Sequence, residues 1–162
     1  MATYKDLILQ HCAEIVNQVL KDMENYRVGA GKIPVPKEPI LYRWWFPANS
    51  EVVTMLSEWK SKDSKEPINL LDGVLTKKFP DGETYYALYF GKSNKGYRRF
   101  IQHSKGNIHT STLRRTIHGL LTDEEYNKSI HEKQIDEILK DCYFEWAVID
   151  KEEESLVECI EA

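Results

Sequence analysis

The chain has 162 residues, 41% of them hydrophobic and 11% aromatic, with a net charge of −4 and a pI near 5.8. That is enough for one domain with a real core and short for two, and it excludes a disordered or fibrous chain. Cys12, Cys142 and Cys159 are odd in number, far apart and form no CxxC pair, which argues against a disulfide framework or a zinc knuckle and predicts reduced thiols in a soluble, cytoplasmic protein.

Leu7, Ile8, Cys12, Ile15, Val16, Val19, Leu20 and Met23 recur at helical spacing, which predicts an amphipathic helix over residues 4–25. This stretch lacks the uninterrupted apolar run of a signal peptide, and no segment approaches the length of a membrane span. VGAGKIPVPKEP then reads as a loop and Ile40 to Phe46 (ILYRWWF) as a strand, followed by a short helix over 50–62. Residues 71–79 and 84–90 flank Pro80-Asp81-Gly82-Glu83, where Pro fixes φ and Gly accepts a positive one, so they form a β-hairpin. Helices are expected over 96–104 and 111–121. Thr122-Asp123-Glu124-Glu125 is a capping box opening a helix to about 140. Residues 143–149 (YFEWAVI) read as a strand, and Asp150 with Glu153 caps a last helix running to Ala162. The expected class is α/β, in one compact unit.

Charge is segregated along this framework. From Gly91 to Thr122 there is no Asp or Glu, while Lys92, Lys95, Arg98, Arg99, Lys105, Arg114 and Arg115 give +7. Residues 123–162 carry −10. A basic island on an acidic chain is the electrostatic footprint of a surface that meets phosphate.

Within the island, Leu88-Tyr89-Phe90-Gly91-Lys92 is followed by Arg99 and, four residues later, by His103. The sequence HSKGNIHTSTLRRTIHGLL comes next, and Leu156-Val157-Glu158 stands near the end. Singly these are ordinary: a strand tyrosine is usually core, and Arg and His at i and i+4 form a common solvated helix face. In this order they resemble the GIY-YIG nucleases, with Tyr89-Phe90-Gly91 as the YIG element. The HSKGNIHTSTLRRTIHGLL stretch resembles a subgroup that includes restriction-type and uncharacterised bacterial members. For the first element, Ile40-Leu41-Tyr42 competes with Gly73-Val74-Leu75, which keeps the glycine and loses the tyrosine. The hydroxyl and the following Arg43-Trp44-Trp45-Phe46 favour Tyr42.

The resemblance implies a small three-stranded, mostly antiparallel sheet flanked by helices. It covers 39–162, with 1–38 as an added N-terminal helix and linker packing on the core. It also implies a metal-dependent DNA endonuclease that uses Mg²⁺ or Mn²⁺. Tyr42, Tyr89 and His103 would activate the water, Arg99 would hold the scissile phosphate, and Glu158 would hold the metal. Lys92 and His109 would have supporting roles. Lys95, Arg98, Lys105, Ser111, Arg114 and Arg115 would contact nucleic acid. These residue types suit the chemistry, since phosphodiester hydrolysis needs a base for water and positive charge on the phosphorane. Three histidines without a cysteine at ligand spacing do not suggest a structural zinc site. Ile40 stands where the family has Gly, and the family's closing Asn has no counterpart after Glu158. These departures define the alternative, a catalytically inactive nucleic-acid-binding protein of the same fold. Oligomeric state is left open, a dimer included.

Overall fold

The computed structural model describes residues 24–59, 66, 68–122 and 132–149. The expected N-terminal helix up to residue 23, the capping box beyond Thr122, the last helix and Glu158 lie outside the described residues, while Glu24 and Asn25, expected as the end of that helix, lie in a strand.

The elements are β1 (Glu24–Arg27), a 3₁₀ turn (Val28–Ala30), β2 (Ile40–Pro47), α1 (Glu51–Ser57), β3 (Thr76–Lys78), β4 (Thr84–Ser93), α2 (Gly96–Lys105), α3 (Thr112–Leu121), α4 (Glu132–Lys140) and β5 (Tyr143–Val148). All strand pairs are antiparallel, in the order β1-β5-β2-β4-β3. Among the described residues the sheet therefore has five strands and not three. β1 is the strand the sequence concealed: its polar residues pair with Tyr143 to Trp146, and Tyr26 stacks on Trp146 at 5.3 Å. In the hairpin, Gly82 takes φ 82°, and Asp81 accepts hydrogen bonds from the Glu83 N–H (2.9 Å) and the Tyr85 hydroxyl (2.5 Å).

Alternation along the strands gives the sheet two faces. Ile40, Tyr42, Trp44 and Phe46 of β2, with Phe144 and Trp146 of β5, build the main core under the helices, which contribute Val52, Val53, Phe100, Leu113, Ile117, Ile135 and Leu139. The outer face carries a smaller cluster of Trp45, Phe79 and Tyr85. There the buried Glu145 carboxylate accepts from Arg43 Nε at 2.6 Å and from Trp45 Nε1 at 2.5 Å. The central strand β2 is buried along nearly its whole length, so its side chains are held rigidly.

Candidate active site

β2 and β4 bring the two motif tyrosines together. Tyr42 lies opposite Gly91, and Trp44 opposite Tyr89. The register shifts between Trp44 and Trp45, leaving Leu88 as an extra residue on β4. Before this bulge Tyr85 and Ala87 belong to the outer cluster, and after it Tyr89 joins the helix-side core. Tyr89 thus shares a face with Tyr42, at 6.4 Å between ring centroids. Gly91 has a steric role here: a Cβ would stand 2.5 Å from Tyr42 Oη and 2.6 Å from Cζ. The Tyr42 ring lies across that glycine.

Helix α2 supplies the third member. Gly96 lets its first turn approach the 36–40 segment, since a Cβ would meet Pro36 O at 2.7 Å and Ile40 Cγ2 at 2.9 Å. The Gly96 and Tyr97 N–H groups donate to the Glu38 and Pro36 carbonyls, so this helix start is fastened to protein. Two turns on, His103 is fully buried, its Nε2 2.9 Å from Tyr42 Oη and its Nδ1 2.7 Å from Ser111 Oγ. Tyr89 meets the imidazole edge-on at 5.5 Å. Burial pushes the ring's pKa from 6.5 down to about 4, with help from the positive charges of Arg99 and Arg114. His103 is therefore neutral at physiological pH.

Arg99 stands one turn before His103 and is half-buried, and its Nε is buried with no hydrogen-bond partner among the described residues. With Ser93, Asn94, Lys95, Arg98 and Gln102 it lines an open cavity of about 250 Å³. Lys95, Arg98, Gln102 and Lys105 recur at i, i+3, i+7 and i+10, a single stripe along α2, and the three cations on it are exposed. Arg115 is exposed on α3, with its guanidinium donating to the Ile108 and His109 carbonyls. His109 is exposed on the α2–α3 loop.

Three expectations from the sequence need correction. Arg114 is not available to phosphate. It is 1% exposed, and its guanidinium donates to the His103 and Ser104 carbonyls, the Glu132 carboxylate at 3.0 Å and Asp136. It ties the end of α2 to α4. Ser111 is likewise buried, as the N-cap of α3, accepting from the Arg114 N–H at 3.1 Å and meeting His103. Lys92 pairs with Leu41, one residue out of phase with Gly91 and Tyr42, so alternation sends it to the opposite sheet face. The rival first element fares no better: Gly73 has φ 81° in a turn, and Leu75 is 55% exposed beside an edge strand separated from β2 by β4.

Glu158 lies outside the described residues, and among those described no three His, Cys, Asp or Glu side chains cluster to hold a metal ion. The donors on view are phenols and a hydrogen-bonded imidazole, which suit Mg²⁺ poorly by themselves. No described helix is long and apolar enough to cross a membrane. A family model described as the GIY-YIG catalytic domain matches residues 40–161, beginning at the first residue of the Ile40-Leu41-Tyr42 element. No curated protein and no solved structure matches the chain.

Proposed function

The chain belongs to the GIY-YIG catalytic-domain family, a nuclease family, through residues 40–161, and from that premise we propose that it is a DNA endonuclease whose water is activated at Tyr42. The observation that carries this reading is the convergence of Tyr42, Tyr89 and His103 on one sheet face, one helical turn from Arg99 and its basic cavity. Arg99 offers a planar fork, with a donor that no described protein group occupies, to a phosphate entering that cavity. Tyr42, as the phenolate left after its own proton has gone to solvent, takes one proton from the attacking water as the new P–O bond forms. The bond to the ester oxygen breaks, and that oxygen is reprotonated from solvent. Lys95, Arg98 and Lys105 hold the flanking backbone phosphates.

The family's nucleases typically require a divalent metal, which when bound supplies positive charge to the phosphorane oxygens. Glu158 is the residue proposed to hold it, with Mg²⁺ or Mn²⁺ as the ion. Cleavage of supercoiled plasmid, with metal and with EDTA, tests the reading. Tyr42→Phe should lower the rate about a hundredfold or more while DNA affinity persists, and Glu158→Gln should abolish cutting. A wild-type chain that binds DNA and cuts none with either metal would instead establish the inactive binder.

A further inference from the structure

We propose that Ser111 is a positioning residue that fixes the tautomer of His103, making the imidazole a hydrogen-bond donor to Tyr42 and not the acceptor of its proton. The inference rests on the nuclease reading for its catalytic meaning and on hydrogen-bond geometry for its content. His103 and Ser111 are both fully buried, so neither can turn to water for a partner. Ser111 Oγ already accepts the Arg114 backbone N–H at 3.1 Å, in its role as the cap of α3. Its own hydrogen has one acceptor in reach among the described residues, His103 Nδ1 at 2.7 Å. When the hydroxyl donates to Nδ1, the single proton of a neutral imidazole stands on Nε2, aimed at Tyr42 Oη at 2.9 Å. The opposite tautomer would leave the serine hydrogen buried without an acceptor.

The consequence is chemical. A donor at the phenolic oxygen stabilises the phenolate, which is the form able to take a proton from water. Among the described residues, the other charged or titratable groups packed around this pair are Tyr89 on β4, Arg99 on α2 and Arg114 on α3. Tyr42 is then the base, and His103 holds it in its reactive state without leaving neutrality.

The test is nuclear magnetic resonance on the full chain labelled with ¹⁵N-histidine, with the His103 signals assigned by their loss in His103→Gln. The expected spectrum at neutral pH shows a protonated Nε2 and a bare Nδ1, and a protonated Nδ1 in the wild type overturns the proposal outright. Ser111→Thr and Ser111→Asp both preserve a good helix cap. Threonine keeps the donor and should keep the tautomer and the cleavage rate. Aspartate can only accept, so it should move the proton to Nδ1 and slow cleavage by about tenfold or more with DNA affinity little changed. An aspartate variant that shows the switched tautomer and cuts at the wild-type rate removes Ser111 from the mechanism. If the wild type shows the expected tautomer and cuts no DNA, the hydrogen-bond assignment stands and the nuclease reading is what fails.

Discussion

Acidification should destabilise this protein through the buried ring of His103. His103 titrates near 6.5 when exposed and near 4 in the fold, chiefly because burial disfavours the imidazolium and secondarily because Arg99 and Arg114 repel it. Between these values the unfolded chain carries a proton on the ring that the folded chain does not. Stability is therefore fully present above about pH 6.5, and it is lost progressively as pH falls towards about 4. At 1.36 kcal/mol per pH unit, the loss comes to about 3 kcal/mol, a large share of the roughly 5–15 kcal/mol typical of a domain. Carboxylates titrate over the same range, so the measurement must be differential. Urea unfolding of wild type and His103→Gln, stepped from about pH 7 to about pH 4, should show wild type losing about 3 kcal/mol more than the variant. A difference that stays flat across the range would mean that His103 protonates freely in the folded state, and the neutral ring required beside Tyr42 would be wrong.

Arg114→Met should cost about 2–3 kcal/mol in urea unfolding, because it orphans the α2 carbonyls while Glu132 and Asp136, each about two-fifths exposed, can rehydrate. The same variant should leave the salt dependence of DNA binding unchanged, and a slope reduced by about one would make Arg114 a phosphate ligand after all. For the wild type, contacts from Lys95, Arg98, Arg99 and Lys105 give a slope of log K on log[salt] of about −3 to −4, and a slope near zero would remove the basic stripe from the interface. Gly91→Ala should keep the fold at a cost of about 1–3 kcal/mol and lower cleavage at least about tenfold, because the new methyl displaces the Tyr42 hydroxyl. Full activity in that variant would show that the position of the Tyr42 ring is immaterial.

Most elements were legible because apolar spacing and the Pro-Asp-Gly turn each act within a few residues of chain. Expected helices at 96–104 and 111–121 differ from the observed ones by a single residue at one end. What escaped depends on partners distant in sequence. Glu24 to Arg27 has no strand-like pattern of its own and becomes a strand by pairing with β5. The Leu88 bulge arises from the fit of β4 to β2, and no local signal marks it. Arg114 was misread because charge was weighed and position was not. It lies between Leu113 and Ile117 on the buried stripe of α3, a spacing visible in the sequence that should have counselled a structural role. In the candidate site, residue order and the family resemblance point to Tyr42, Tyr89 and His103, and the fold brings these three side chains together. The place of Ser111 among them required coordinates, since a cap and a histidine partner look the same as letters.

The extra residue at Leu88 also divides β4 into two frames of inheritance. Upstream of it, inward and outward positions are counted one way, and Tyr85 and Ala87 answer to the outer aromatic cluster. Downstream the count is inverted, and Tyr89 and Gly91 answer to Tyr42. Deletion of that single residue would restore an unbroken ladder and keep both faces, with Tyr89 and Gly91 still opposite Trp44 and Tyr42, whereas deletion of Phe90 would set Lys92 opposite Tyr42 where Gly91 now stands. Substitutions, by contrast, can accumulate in the upstream frame without reaching the chemical one. Past the bulge, the strand is thus intolerant of a change in its length.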